Sequence, residues 1–175
     1  MATANKKTPA AGKTSAKKAA APRRSVARTN AIAILRADHK RVSALFDQFE
    51  GTRSDAKKAK LVAQICSELT IHAQVEEEIF YPAVKAALKD KELVPEATVE
   101  HACVKDLIAQ VQGVPPGGEM YDARVRVMGE FVKHHVKEEQ NEMFAKAKGT
   151  KLDMEQLGEQ IMARKEELQA GAPAA

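Results

Sequence analysis

Residues 71–82 read IHAQVEEEIFYP. Through this stretch and upstream of it, Leu61, Ile65, Leu69, His72, Glu76 and Ile79 recur at three- and four-residue intervals, the spacing of one helix face. A face that carries Leu and Ile is built for a core, where an unpaired imidazole or carboxylate is costly. His72 and Glu76 therefore need a partner. Pro82, just past them, ends or kinks the helix. The arrangement recurs downstream. Over about 119–147, Val125, Met128, Val132, His135, Glu139 and Met143 share a face, and Gly149 stops the helix. His135 and Glu139 lie about 40° apart around that helix, at ~100° per residue.

Three further segments complete the pattern. From Asn30, the positions Ile32, Leu35, His39, Val42, Phe46 and Phe49 form a helical stripe, with Gly51 as the C-cap. Ser54 or Asp55 caps the second helix. A third opens at Pro95, a favoured first position, and runs to about Val111 before Gly113. The breaker VPPGGE separates it from the fourth, and LDMEQLGEQIMARKEELQ is a fifth, amphipathic helix. No segment alternates with period two. The expected fold is all-α, an antiparallel up-down four-helix bundle with an additional C-terminal helix. Its divisions are a basic arm over 1–29, the bundle over 30–148 and the amphipathic helix over 150–170.

The arm is distinct in composition. Of 28 Lys and Arg, eight lie in residues 1–29, which hold no acid; the remainder carries 20 cations against 24 acids. Rich in Ala, Lys, Thr and Pro and without large apolar residues, the arm reads as disordered. It suits weak, nonspecific contact with nucleic acid through phosphates over residues 1–28, a transit peptide, or a merely solubilising tail. No stretch approaches the ~18 apolar residues of a membrane span, and no secretory leader is visible. Cys66 and Cys103 form no disulfide framework and read as small buried hydrophobes, which fits a reducing, cytoplasmic setting. No phosphate-cradling loop or nucleophile elbow appears.

The histidines carry the chemistry. His39, His72, His101 and His135 fall one to a helix in phase with apolar residues, whereas His134 points away from the stripe. Two His-x-x-x-Glu pairs with an imidazole from each remaining helix suit a pair of metal ions clamped in the bundle. Mixed nitrogen and oxygen ligation with open positions favours iron, then manganese, over a closed structural zinc site.

With ADH at 37–39, HAQVEEEIFYP at 72–82, EH at 100–101 and HHVKEEQNEMF at 134–144, the chain resembles the hemerythrin-like proteins with an HHE cation-binding domain, over roughly 30–147. The resemblance implies two non-heme Fe ions, carboxylate- or oxo-bridged, with Mn as the second choice. His39, His72, Glu76, His101, His135 and Glu139 are the implied ligands, Glu76 and Glu139 the bridges. The chain departs from oxygen-carrying hemerythrins at Lys105, where they have a second histidine of the third helix, and at Ala145, often a proline. Their longer spacing on the fourth helix leaves His134 with Glu139 as an alternative. Glu77, Glu78 and Glu138 belong to a solvated face, supply extra ligands or orient an imidazole. Tyr81 hydrogen-bonds near the site or packs at the helix end, and Asp38 reads as a surface residue.

Two functions are expected. The first is binding of, or reaction with, a small diatomic or peroxide (oxygen, peroxide, nitric oxide) in stress response or sensing. Catalase-like turnover is not separated from stoichiometric binding. The alternative is an iron- or redox-sensing module tethered to nucleic acid by the arm.

Overall fold

The computed structural model describes residues 1–2, 30–89 and 91–171; the expectations for residues 3–29 lie outside these. Helices account for the described elements, with no strand among them. Helix α1 is Ala31–Gly51, and the Asn30 side chain accepts from the Ala33 N–H at its start. Helix α2 covers 55–88, α3 is Leu93–Gln112, α4 covers 119–148 and α5 is Met154–Gly171. Of the two candidate caps for α2, Ser54 does the capping, its hydroxyl accepting from the Lys57 N–H.

Helices α2 and α4 share an irregularity. In α2, Asp55–Val75 passes through one π-turn, Glu76–Phe80, into Tyr81–Leu88. In α4, Glu119–Glu138 passes through a π-turn at Glu139–Met143 into Phe144–Lys148. The Tyr81 N–H reaches back five residues to the Glu76 carbonyl, and the Phe144 N–H to that of Glu139. Such single wide turns occur frequently at functional sites. Pro82 thus does not end its helix: it sits at the start of the segment after the wide turn, where a missing N–H is tolerated. Proline is not the cause of the turn, because α4 makes the same turn with Ala145 in the matching place.

Helix α3 begins two residues earlier than Pro95, because Leu93 and Val94 extend it and Val94 is buried. Pro95 then falls in the first turn, where backbone N–H groups have no partner within the helix. Gly51 is the last helical residue and Thr52 the C-cap, while Gly113 and Gly149 cap α3 and α4.

Helix α1 packs chiefly on α2 and α3 on α4, and the two hairpins close into the bundle. Its apolar core is split in two. One cluster joins Ile32 and Leu35 with Phe80, Val84, Val94, Met143, Phe144 and Ile161. The other joins Val42, Phe49, Ile65, Leu69, Ile108, Val125 and Met128. Along each helix, the site histidine or glutamate lies between the residues of these two clusters. Helix α5 lies against α1 and α2, burying Ile161 in the first cluster with Leu157 and Leu168 packed beside it. Cys66 is buried, but Cys103 is exposed, since its position on α3 faces away from both clusters. No helix among the described residues is long and apolar enough to cross a membrane.

Candidate metal centre

The layer between the clusters holds His39, His72, Glu76, His101, His135 and Glu139, none more than 6% exposed. Their inner atoms converge. His39 Nε2 lies 2.9 Å from His72 Nε2, and His101 Nε2 lies 3.3 Å from His135 Nε2. Glu76 Oε2 stands 3.2 Å from His72 Nε2 and 3.4 Å from His101 Nε2, facing one imidazole of each pair. Glu139 Oε2 is 3.3 Å from His39 Nε2. Single ligand atoms from His39, His72, Glu76 and Glu139 lie within 4.8 Å of one another, as do those from Glu76, His101 and His135.

The outward nitrogen of every imidazole is also held. His72 Nδ1 contacts Asp38 Oδ2 at 3.4 Å, His101 Nδ1 contacts Glu77 Oε1 at 3.0 Å and His135 Nδ1 contacts Glu100 Oε2 at 2.8 Å. Gln140 Nε2 lies 3.0 Å from His39 Nδ1. A carboxylate can only accept, so in these three rings the proton belongs on Nδ1 and the Nε2 lone pair points inward, as in metal-bound histidines. The pattern has internal order. The acid preceding the histidine of α1 or α3 orients the imidazole of the next helix. The residue following each site glutamate orients the imidazole of the other hairpin.

Asp38 is therefore not a surface residue. It is 3% exposed, because Lys165 of α5 covers it, with Nζ 2.5 Å from both carboxylate oxygens. Burial pushes the Asp38 carboxyl up, but hydrogen bonds from His72 and Lys165 and their charges outweigh it and hold the group below its ordinary 3.8. The doublets Asp38–His39 and Glu100–His101 were the available signal for these orienting acids. Lys165, 127 residues away from Asp38, had none.

This layer fits a cation. With Nδ1 of His101 and His135 both donating outward, two bare lone pairs face each other at 3.3 Å. Glu76 Oε1 and both Glu139 oxygens are buried without a hydrogen-bond partner. Burial, then the Glu139 charge, raises the Glu76 carboxyl well above its usual range. Burial also pushes Glu139 up, but His39 beside it and then the other neighbouring imidazoles outweigh it and hold it low. Burial and the His135 charge bring His101 down to about 4, so it is neutral at pH 7. Buried carboxyl groups and imidazole nitrogens aimed at one another call for positive charge between them.

The remaining candidates fall outside. His134 is exposed, 3.3 Å from Glu138 Oε1, while its neighbour His135 is the one turned inward. Glu78 is bound by Arg164 on the surface. Lys105 turns to Glu77, with Nζ 2.6 and 2.7 Å from its oxygens. Tyr81 Oη comes within 3.4 Å of Glu76 Oε2 and 3.3 Å of His101 Nε2. A cavity of about 30 Å³ adjoins the four imidazoles, walled by Val42, Leu69, Val104, Ile108 and Val132.

The chain belongs to the family of the Hemerythrin HHE cation binding domain, whose model matches residues 30–147. That family binds metal cations, and the two His/Glu clusters are able to hold them. A DNA nickase from Nostoc sp. is 30% identical over 112 residues, 64% of this chain; the chain spans only 32% of that protein. The uncharacterized protein Rv2633c of Mycobacterium tuberculosis is 28% identical over 116 residues, 65% of this chain and 70% of that one. The crystal structure of a hemerythrin HHE cation binding domain-containing protein, an Rv2633c homolog from Mycobacterium kansasii, superposes with a TM-score of 0.70. It is 26% identical, with 81% of this chain and 88% of that one covered.

Removing the lysine that covers Asp38 leaves a buried carboxylate with only the His72 imidazole beside it, which costs about 3 kcal/mol. Lys165→Ala should lower stability by roughly that amount in urea unfolding at pH 7. Because the folded value of Asp38 lies below 3.8, its contribution is present above that pH and lost as the pH falls through the folded value. Without Lys165 the folded value rises, so acid unfolding of the variant should begin at a higher pH than in the unaltered protein.

Proposed function

We propose that this protein is a non-heme di-iron hemerythrin-like protein that binds or reacts with small oxidants such as oxygen, peroxide or nitric oxide. The observation that carries this reading is the pair of inward imidazole nitrogens in each hairpin, with Glu76 facing one from each. His39 and His72 would hold one ion, and His101 and His135 the other. Glu76 belongs to both groups of ligand atoms, and Glu139 would add its oxygens beside His39 and His72. Four nitrogens and two carboxylates leave a pair of ions with open positions, which favours iron, with manganese second. Iron held there would supply electrons to an oxidant, or a coordination position for a diatomic.

The chain's own residues set what gets in. The 30 Å³ cavity beside the imidazoles has room for about one or two water-sized molecules, hence for a diatomic or peroxide and little more. Its walls are chiefly aliphatic, which disfavours charged ligands. A groove of about 440 Å³ between α1 and α4 adjoins the cavity, with His39, Val132 and Val136 bordering both, and is the side from which a neutral molecule would enter. Tyr81 keeps its proton, because burial and then the charges of Glu76 and Glu139 raise its phenol well above the ordinary value. Its O–H is thus a donor within reach of Glu76 and His101.

Protein purified without air from iron-replete cells should carry about two irons per chain. His72→Ala and Glu139→Ala should each lose bound iron while remaining helical by circular dichroism. Unchanged iron in both would overturn the site. Val104→Leu, which adds a methylene to the cavity wall, should keep the iron and slow nitric oxide binding by about tenfold, a ~1.4 kcal/mol penalty.

A second reading has its own support. The eight cations of the arm, and the likeness of the chain to part of a DNA nickase, favour a metal-sensing module tethered to nucleic acid. Retention on duplex DNA should then fall steeply with salt and vanish on deletion of residues 1–28, because phosphate contacts release counterions. Equal retention without the arm would rule this reading out.

A further inference from the structure

A third group of metal-ligating side chains stands at the surface seam of α3 and α4, apart from the six central residues. His134 Nε2 lies 3.3 Å from Glu138 Oε1 and 3.6 Å from Glu100 Oε1. One ligand atom from each of the three residues falls within 4.8 Å of the others. Beside this group is a narrow cleft walled by Leu93, Ala97 and Met143, along which Glu96, Glu100, Glu138 and Glu139 are set with His135. It grades from exposed Glu96 to Glu139, which is 2% exposed and whose two carboxylate oxygens have no hydrogen-bond partner.

The charges around this cleft are unbalanced. Asp38 and Glu77, the orienting acids of His72 and His101, are each neutralised by a lysine, Lys165 and Lys105. Among the described residues, no Lys or Arg pairs with Glu96, Glu100 or Glu138; Glu100 and Glu138 face only histidines. A cleft lined by one sign of charge focuses its field and raises the local concentration of counter-ions. Glu100 joins outside to inside: Oε1 faces His134, while Oε2 accepts from His135 Nδ1.

We propose that His134, Glu138 and Glu100 form an outer site for a divalent cation, and that the acidic cleft is the passage by which the ion reaches Glu139 and His135. The destination, though not the outer site, rests on the proposed di-metal centre. One imidazole and two carboxylates leave a six-coordinate divalent ion such as Fe²⁺ or Mn²⁺ about half of its water, which suits an ion that must move on. The aliphatic cavity gives a hydrated cation few carboxylates to bind, so ion and oxidant would arrive by different seams of the bundle.

The test uses metal-free full-length chain and Mn²⁺ alone, followed anaerobically by electron paramagnetic resonance. The unaltered protein should bind a weak, rapidly exchanging Mn²⁺ in addition to slowly filling inner positions. In His134→Ala/Glu138→Gln the weak ion should be lost. The inner positions should fill about tenfold more slowly, with a weaker dependence on salt, to the same final occupancy. A weak ion retained in the double variant would overturn the outer site, and an unchanged filling rate would overturn the passage. His72→Ala separates the outer site from the inner centre, since it damages the inner layer alone. A weak Mn²⁺ that survives in His72→Ala, and disappears when the two outer substitutions are added, supports the outer site independently. An unaltered protein that holds the weak ion but never fills the inner positions would overturn the passage together with the di-metal centre.

Discussion

Two carboxylates and four imidazoles lie in the middle of a bundle whose two ends are apolar, and the rest of the structure answers that placement. Burial raises Glu76, while the surrounding imidazoles hold Glu139 down, so the two glutamates differ in charge preference despite equivalent positions in the chain. An uncompensated buried carboxylate costs several kcal/mol. The polar layer is tolerable because outward hydrogen bonds fix every ring and because cations suit the space between them. The apolar clusters above and below act as clamps, keeping the helices close enough for nitrogens to meet at about 3 Å.

The π-turns belong to the same arrangement. Each begins at a site glutamate, four residues after a site histidine. The extra residue rotates the next helical segment, so Tyr81 and Phe144 return to the site: Tyr81 stacks on His101 at 5.4 Å and Phe144 on His39 at 5.9 Å. The two hairpins thus repeat one design with one chemical difference. One half carries a phenol and the other a plain ring, which makes the two halves unequal in hydrogen bonding.

Much of the fold was readable because both of its determinants are local. The 3.6-residue stripes and the Ser54, Gly113 and Gly149 punctuation mark four helices, and the breaker VPPGGE separates two of them. The His-x-x-x-Glu pairs show the centre because histidine and glutamate interrupt otherwise apolar faces. The features that escaped the sequence depend on contacts between helices. Asp38 looked like a surface acid, since nothing near it in the chain reveals a lysine 127 positions later. Pro82 looked like a terminator or a kink, because local rules do not anticipate a wide turn that accommodates it. Cys103 looked buried by residue type alone, yet its phase on α3 turns it outward.

The crossed orientation of the imidazoles has a consequence for how the two hairpins depend on each other. Glu77 of the first holds His101 of the second, and Gln140 of the second holds His39 of the first. Neither hairpin contains a finished half of the centre. Correct ring geometry is a property of the docked pair, so a chain with one hairpin displaced would misalign rings on both sides. The polar layer therefore acts as a proofreading device for assembly: it distinguishes a bundle in register from one that is merely collapsed, a distinction two greasy clusters alone would make poorly.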